Sequence, residues 1–286
     1  SGIALPKEYG GRAGTRLQQI IFGEEETNYL IPPPIFSISH GMAVPTMLTY
    51  ATEDQKQRYV PATLRGDEIW CQLFSEPAGG SDLAGLRTRS VRDGDHWVVN
   101  GQKIWTSGAH YADMAILVTR SDPDAPKHKG LTYFFIDMKS PGIEVNPIVT
   151  IDGGREVNNT YFTNVRVPIK NRVGEENQGW TYAKFLLGNE RSSIARVGDS
   201  KARLRRLKQI ASEEHLGGLP IIKDAEFRKS IAELEIKLRA LEFTELRFLM
   251  ADTDGEGPGA EVSMLKIRGT EVQQELTELS MKAMGM

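Results

Sequence analysis

From about Gly66 to Lys170 the chain is a series of short apolar, β-branched and aromatic runs cut by turn residues, and both flanks read as helical. Ile69-Trp-Cys-Gln-Leu-Phe74 is β-prone. Asp93-Gly94 separates Arg87–Arg92 from His96-Trp-Val-Val99 as a hairpin signal, and Asn100-Gly101 gives a second turn signal before Gln102-Lys-Ile-Trp105. Met114–Val118, Leu131–Ile136, Ile143–Val149 and Tyr161–Val167 continue the series. Many short strands with regular turns predict a small antiparallel barrel or sandwich. The fold class expected is α+β and multidomain: an N-terminal helical domain over 1–66, a central antiparallel β-barrel over 67–172, and an incomplete C-terminal helical bundle over 173–286.

The flanks carry their own signals. Arg16–Tyr29 has apolar positions at Leu17, Ile20, Ile21 and Phe22, and Thr52-Glu-Asp-Gln55 has the form of a capping box that opens a helix. Phe227, Ile231, Leu234, Leu238 and Leu241 recur at steps of four and three, which sets them on one stripe of one helix. Leu265, Val272, Leu276, Leu279 and Ala283 form a second stripe, and Asp252–Gly259 breaks the two. The chain opens without Met and closes on a helical pattern, so both ends read as cut from a longer chain.

A formal net charge of -3 argues against nucleic acid as a partner, because phosphate binding needs a concentrated basic surface. The local exception, Lys201-Ala-Arg-Leu-Arg-Arg206 with Lys208, reads as a solvated helix face. Cys71 is the one cysteine, so neither an internal disulfide nor a cysteine zinc site is available. That fits a reducing compartment, the cytoplasm or an organelle matrix. No apolar run approaches the length of a membrane span.

Two segments carry candidate chemistry. Ser75-Glu-Pro-Ala-Gly-Gly-Ser-Asp82 follows a strand directly, and small residues there expose backbone N–H groups to a ligand. Taken alone it reads first as a polar turn in which Gly79 and Gly80 serve conformation. Asn100-Gly-Gln-Lys-Ile-Trp-Thr-Ser-Gly108 ends in an indole beside two hydroxyls; a strand-end tryptophan is core or, beside a polar loop, a flank for a planar ring. Gly-x-Gly-x-x-Gly is absent from any strand-to-helix turn, against a Rossmann nucleotide site.

In order and spacing these segments resemble the two signatures of the acyl-CoA dehydrogenase family, and Gly2-Ile-Ala-Leu-Pro-Lys-Glu-Tyr-Gly-Gly11 resembles that family's N-terminal loop. The resemblance covers essentially the whole chain. It implies FAD as cofactor, with Gln72, Leu73, Phe74, Ser75, Gly80 and Ser81 along the flavin and Trp105, Thr106 and Ser107 on its other side. Ser81 and Arg191 would meet the CoA thioester. The implied reaction is α,β-desaturation of an acyl-CoA, with an electron-transfer flavoprotein or similar acceptor and a homo- or hetero-oligomeric assembly.

An α-C–H is weakly acidic and needs a positioned base. The family carries it either beyond the point where this chain stops or as a glutamate before an arginine in the helix after the barrel, here Gly188-Asn-Glu-Arg191. Glu190 is the candidate base; equally, Glu190 and Arg191 charge an ordinary helix. The sequence departs from the family at Ser212–Gly218, where a basic residue that meets the FAD of a neighbouring subunit is replaced by a stretch containing only His215. Two rivals stay open: a non-catalytic partner subunit of a hetero-oligomer, and a flavin oxidase or monooxygenase on the same scaffold. No metal is expected.

Overall fold

The computed structural model describes residues 2–29, 35–193, 195–251 and 262–285, with the side chains of 190–193, 249–251 and 262 excepted. The chain divides into two compact units: Ser1–Ala13 with Pro33–Leu187, and Gly14–Pro32 with Gly188–Met286.

The first unit is a sheet backed by helices. α1 (Arg16–Glu26) belongs to the second unit, so the helices here are α2 (Val44–Tyr50) and α3 (Glu53–Arg65). The capping box predicted at Thr52 forms: its hydroxyl accepts from Gln55 N and the Gln55 side chain accepts from Thr52 N. The strands are β1 (Trp70–Leu73), β2 (Arg89–Asp93), β3 (His96–Ser107), β4 (Met114–Arg120), β5 (Leu131–Asp137), β6 (Ile143–Pro147), β7 (Val157–Pro168) and β8 (Arg172–Val173). They pair in the order β6-β7-β3-β2-β4-β5-β8, with β1 also on β4.

Two features of this sheet differ from the sequence expectation. β1 runs parallel to β4, with Trp70 opposite Met114 and Leu73 opposite Leu117, and β2 also meets β4 in parallel. The sheet also has two ends, β6 and β8, so among the described residues it is open and mixed, where a closed antiparallel barrel was expected. Turn dipeptides specify only hairpin neighbours, whereas closure requires strand tilt and stagger to agree around the whole ring. Asn100-Gly101 is likewise no turn. β3 runs through it with a register shift in which Asn100 alone opposes Thr163 and Asn164 of β7, and Gly101 takes φ +149°.

Successive side chains of β1 enter different cores, as a pleated strand requires. Trp70 and Phe74 join Val60, Ile116, Tyr133, Phe135 and Leu186 on the helix-covered face. Cys71 and Leu73 join Trp97, Leu117, Phe134, Phe162 and Val165 on the other. The Trp70 indole N–H donates to Thr63 Oγ1 at 2.9 Å and stands edge-on to Tyr59 and Phe135.

α4 (Gly179–Ser193) carries the chain out of this unit. The second unit contains α5 (Val197–Glu213), the hairpin β9–β10 (His215–Leu216 and Leu219–Pro220), α6 (Ala225–Ala251) and α7 (Val262–Ala283). Both predicted stripes form its core: Ile231, Leu234, Leu238 and Leu241 of α6 pack with Leu265, Val272, Leu276, Leu279 and Ala283 of α7, and Phe227 packs against them. The predicted break at Asp252–Gly259 lies outside the described residues. On α1, Leu17, Ile21 and Phe22 are exposed. No helix among the described residues is long and apolar enough to cross a membrane.

Candidate functional site

The loop Ser75–Asp82 leaves the end of β1 and turns on itself. Glu76 N donates to Gly79 O at 2.9 Å and Gly79 N to Glu76 O at 3.0 Å. A Cβ on Gly79 would lie 2.9 Å from Asp82 O, so the turn excludes a side chain there. At Gly80 a Cβ would meet only Ser75 Oγ at 4.0 Å, which leaves that backbone open to an approaching group. Ser81 is exposed, and Asp82 pairs with Lys127 at 2.7 Å.

The second segment is the end of β3. Lys103 faces Thr160 and Thr106 faces Asn158, so Ile104 and Trp105 together oppose Asn159 alone. This is a β-bulge, which bends a strand and re-aims its side chains. Trp105 sits in it at φ +59°, in the left-handed region that a bulky residue rarely adopts, and the residue is 58% exposed. The next residue is buried, and Thr106 Oγ1 has no hydrogen-bond partner. Asn158 Nδ2 donates to Thr106 O at 2.9 Å, and Ser107 is exposed.

The fold brings the two segments together. Ile104 N donates to Ser75 O at 2.9 Å. Lys103 Nζ donates to Phe74 O at 3.0 Å and to Glu76 Oε1 at 2.8 Å. Burial pushes the Lys103 ammonium down to about 8 against the opposing pull of Glu76. Burial alone would raise the Glu76 carboxyl, but the Lys103 charge and the N–H groups of Arg87 and Thr88 hold it below its usual range. The turn after the loop is held by Arg120, whose guanidinium donates to the carbonyls of Ala84, Lys127 and Lys129.

Of the residues named from the sequence, Gln72 and Ser75 are half-buried, and Gly80, Ser81, Trp105 and Ser107 are exposed. Leu73 and Phe74 are buried in opposite cores; Leu73 has no exposed surface, and the Phe74 carbonyl is taken by Lys103. Glu190 and Arg191 lie on α4, but their side chains fall outside the described residues. His215 is exposed on β9 with Nδ1 2.9 Å from Glu213 O. Three residues of the basic run are ion-paired: Lys201 with Glu24 and Glu242, Arg203 with Asp199, Lys208 with Glu235. No group of His, Cys, Asp and Glu among the described residues is arranged to hold a metal ion.

The Glu76–Lys103 pair has a sequence signal of its own. Lys103 stands in phase, at steps of two, with the inward Trp97 and Val99, and an inward lysine requires a buried carboxylate.

Three family models match in succession: the N-terminal domain of acyl-CoA dehydrogenases over residues 1–67, the middle domain over 71–165 and the C-terminal domain over 177–286. The Mycobacterium tuberculosis acyl-CoA dehydrogenase FadE29 is 35% identical over 99% of this chain and 72% of its own length. The chain belongs to the acyl-CoA dehydrogenase family. It therefore has the three-domain mixed α/β fold of these flavoprotein oxidoreductases, helical, sheet and helical in order. Acyl-CoA dehydrogenase FadE34 of the same organism is 38% identical over 97% of this chain, which spans only 38% of that protein. Among solved structures, the Tcur3481-Tcur3483 steroid ACAD matches with a TM-score of 0.88 at 33% identity, over 99% of this chain and 72% of that one. The ChsE4-ChsE5 complex from Mycobacterium tuberculosis matches with a TM-score of 0.87 at 34% identity, over 99% and 73%.

Proposed function

We propose that this acyl-CoA dehydrogenase chain binds FAD between the Ser75–Asp82 loop and the bulged end of β3, and takes part in oxidising an acyl-CoA thioester to the 2-enoyl-CoA. The observation that carries this reading is the bulge. An exposed indole at left-handed φ stands next to a buried hydroxyl with no partner, on a strand hydrogen-bonded to a loop with open backbone at Gly80. Strained backbone and orphaned polar atoms concentrate where a ligand completes the structure.

These residues fit FAD. A planar ring takes an aromatic flank at Trp105, and its polar edge takes the hydroxyls of Thr106 and Ser107 with backbone groups at Gln72, Ser75 and Gly80. FAD, when bound, supplies the acceptor for a hydrogen with its electron pair. Ser81 and Arg191 hold the CoA thioester. The Glu190 carboxylate accepts the α-proton; the electrons of that C–H bond form the new C=C as the β-hydrogen leaves with its own pair. An electron-transfer flavoprotein or similar carrier would be the final acceptor.

A second reading has a specific support. Two of the similar structures, each at least 33% identical, carry two protein names, one as a steroid ACAD and one as a complex. This favours a hetero-oligomer in which the chain is one subunit and the acyl group is a bulky steroid-like one, with the base on either subunit.

The test is the visible spectrum of the full-length protein titrated with acyl-CoAs of short, long and polycyclic acyl groups, with and without co-expressed partner subunits. Flavin absorbance that bleaches with one class supports the reading and names the substrate. A protein that stays colourless with added FAD loses the cofactor proposal.

A further inference from the structure

The buried ion pair between Glu76 and Lys103 joins three stretches of chain. Lys103 Nζ reaches Phe74 O and Glu76 Oε1. The Glu76 carboxylate also accepts from Arg87 N at 2.6 Å and Thr88 N at 2.9 Å. Thr88 Oγ1 in turn donates to Gln102 O at 3.2 Å, one residue from Lys103. The Lys103 side chain is 0% exposed and that of Glu76 5%. An apolar pair of the same volume would pack here without the cost of stripping water from two charges. What it would lack is direction: it could not orient the Phe74 carbonyl, the Glu76–Gly79 turn and the Arg87–Thr88 amides about one point. Each charge also stands beside proposed ligand groups. Glu76 follows Ser75, and Lys103 precedes Trp105 by two residues.

We propose that Glu76 and Lys103 are positioning residues that fix the Ser75–Asp82 loop at a set spacing from the Trp105–Thr106 bulge, so that both present their ligand groups to one flavin. This rests on the flavin reading above. The carboxylate is the hub, because it takes the Lys103 ammonium and the amides of Arg87 and Thr88 at one point. The lysine neutralises it and aims the carbonyl of Phe74, the residue at which β1 gives way to the loop.

The experiment compares the full-length protein with Lys103→Met/Glu76→Gln, which removes both charges and keeps the volume. FAD affinity, the visible circular dichroism of bound flavin and thermal melting are measured on each. The expected result is a cooperative melt in the double variant with FAD bound at least roughly tenfold more weakly, the loss of about one oriented hydrogen bond or more, and a changed dichroism of the flavin that remains. A folded double variant with unchanged affinity and dichroism overturns the proposal and leaves the flavin reading standing. No flavin binding by the unaltered protein overturns both. If the double variant does not fold, Glu76→Gln alone, isosteric and with Lys103 retained, goes through the same measurements, and unaltered values there overturn the proposal equally.

Discussion

Asn158 Nδ2 donates to the carbonyl of Thr106 at 2.9 Å across the β3–β7 ladder, and Asn158 is fully buried. Its Oδ1 lies 3.2 Å from His110 Nδ1, so both ends of the amide are engaged. The residue after the bulge is thus held by a side chain as well as by the ladder. Asn158→Ala leaves a buried carbonyl unsatisfied and is expected to cost about 1–3 kcal/mol in urea unfolding. FAD affinity is expected to fall with it. A loss of stability with FAD affinity intact would detach Thr106 from the ligand.

Trp105 gives the opposite separation. Its φ of +59° stores strain of about 1–3 kcal/mol, and the residue is 58% exposed. Trp105→Gly removes the strain and the ring together. The melting temperature is expected to hold or rise while flavin affinity drops. A sharp fall in melting temperature would mark the indole as packing instead.

Glu245 tests the electrostatics of the helical unit. Burial first, and then the carboxylates of Glu24 and Glu242, raise its carboxyl to about 7, with Lys201 pulling the other way. An acid whose folded value exceeds its unfolded one keeps its proton longer when folded, so stability falls as pH rises from about 4.5 to 7 and stays lower above. Glu245→Gln is expected to stabilise the protein by about 2 kcal/mol at pH 8 and to change little at pH 4. Melting curves at the two pH values decide it, and an equal effect at both would show that the charge is not the cause.

Glu190→Gln in the full-length protein is expected to lower kcat by about a hundredfold or more, the share of a positioned base, with flavin absorbance retained. Turnover that survives the change assigns proton removal to another group.

The helices were legible because their signals are local. The stripe from Ile231 to Leu241 and the box at Thr52–Gln55 depend on neighbours within a few residues, and both formed as read. The strands were legible for the same reason; their partners were not. Asn100-Gly101 reads as a turn from its own chemistry, but β7 pairs on both sides of it, and the ladder carries it on as strand. The parallel seat of β1 on β4 joins Trp70 to Met114, a pairing that no short-range signal encodes. At the candidate site the two segments were legible as motifs. The left-handed Trp105 was not, and of the Glu76–Lys103 bond only the inward lysine carries a local signal, because its partner is set by residues far away in sequence.

β1 sends Trp70 and Phe74 into one core and Cys71 and Leu73 into the other, then runs at once into the loop at Ser75. Gaining or losing one residue between Ile69 and Ser75 would exchange every side chain between the two cores and shift the loop by half a pleat. Across related sequences this stretch should therefore vary in residue type while its length stays constant. The surface loop between Ser121 and Gly130 is under no such alternation, and insertions should collect there.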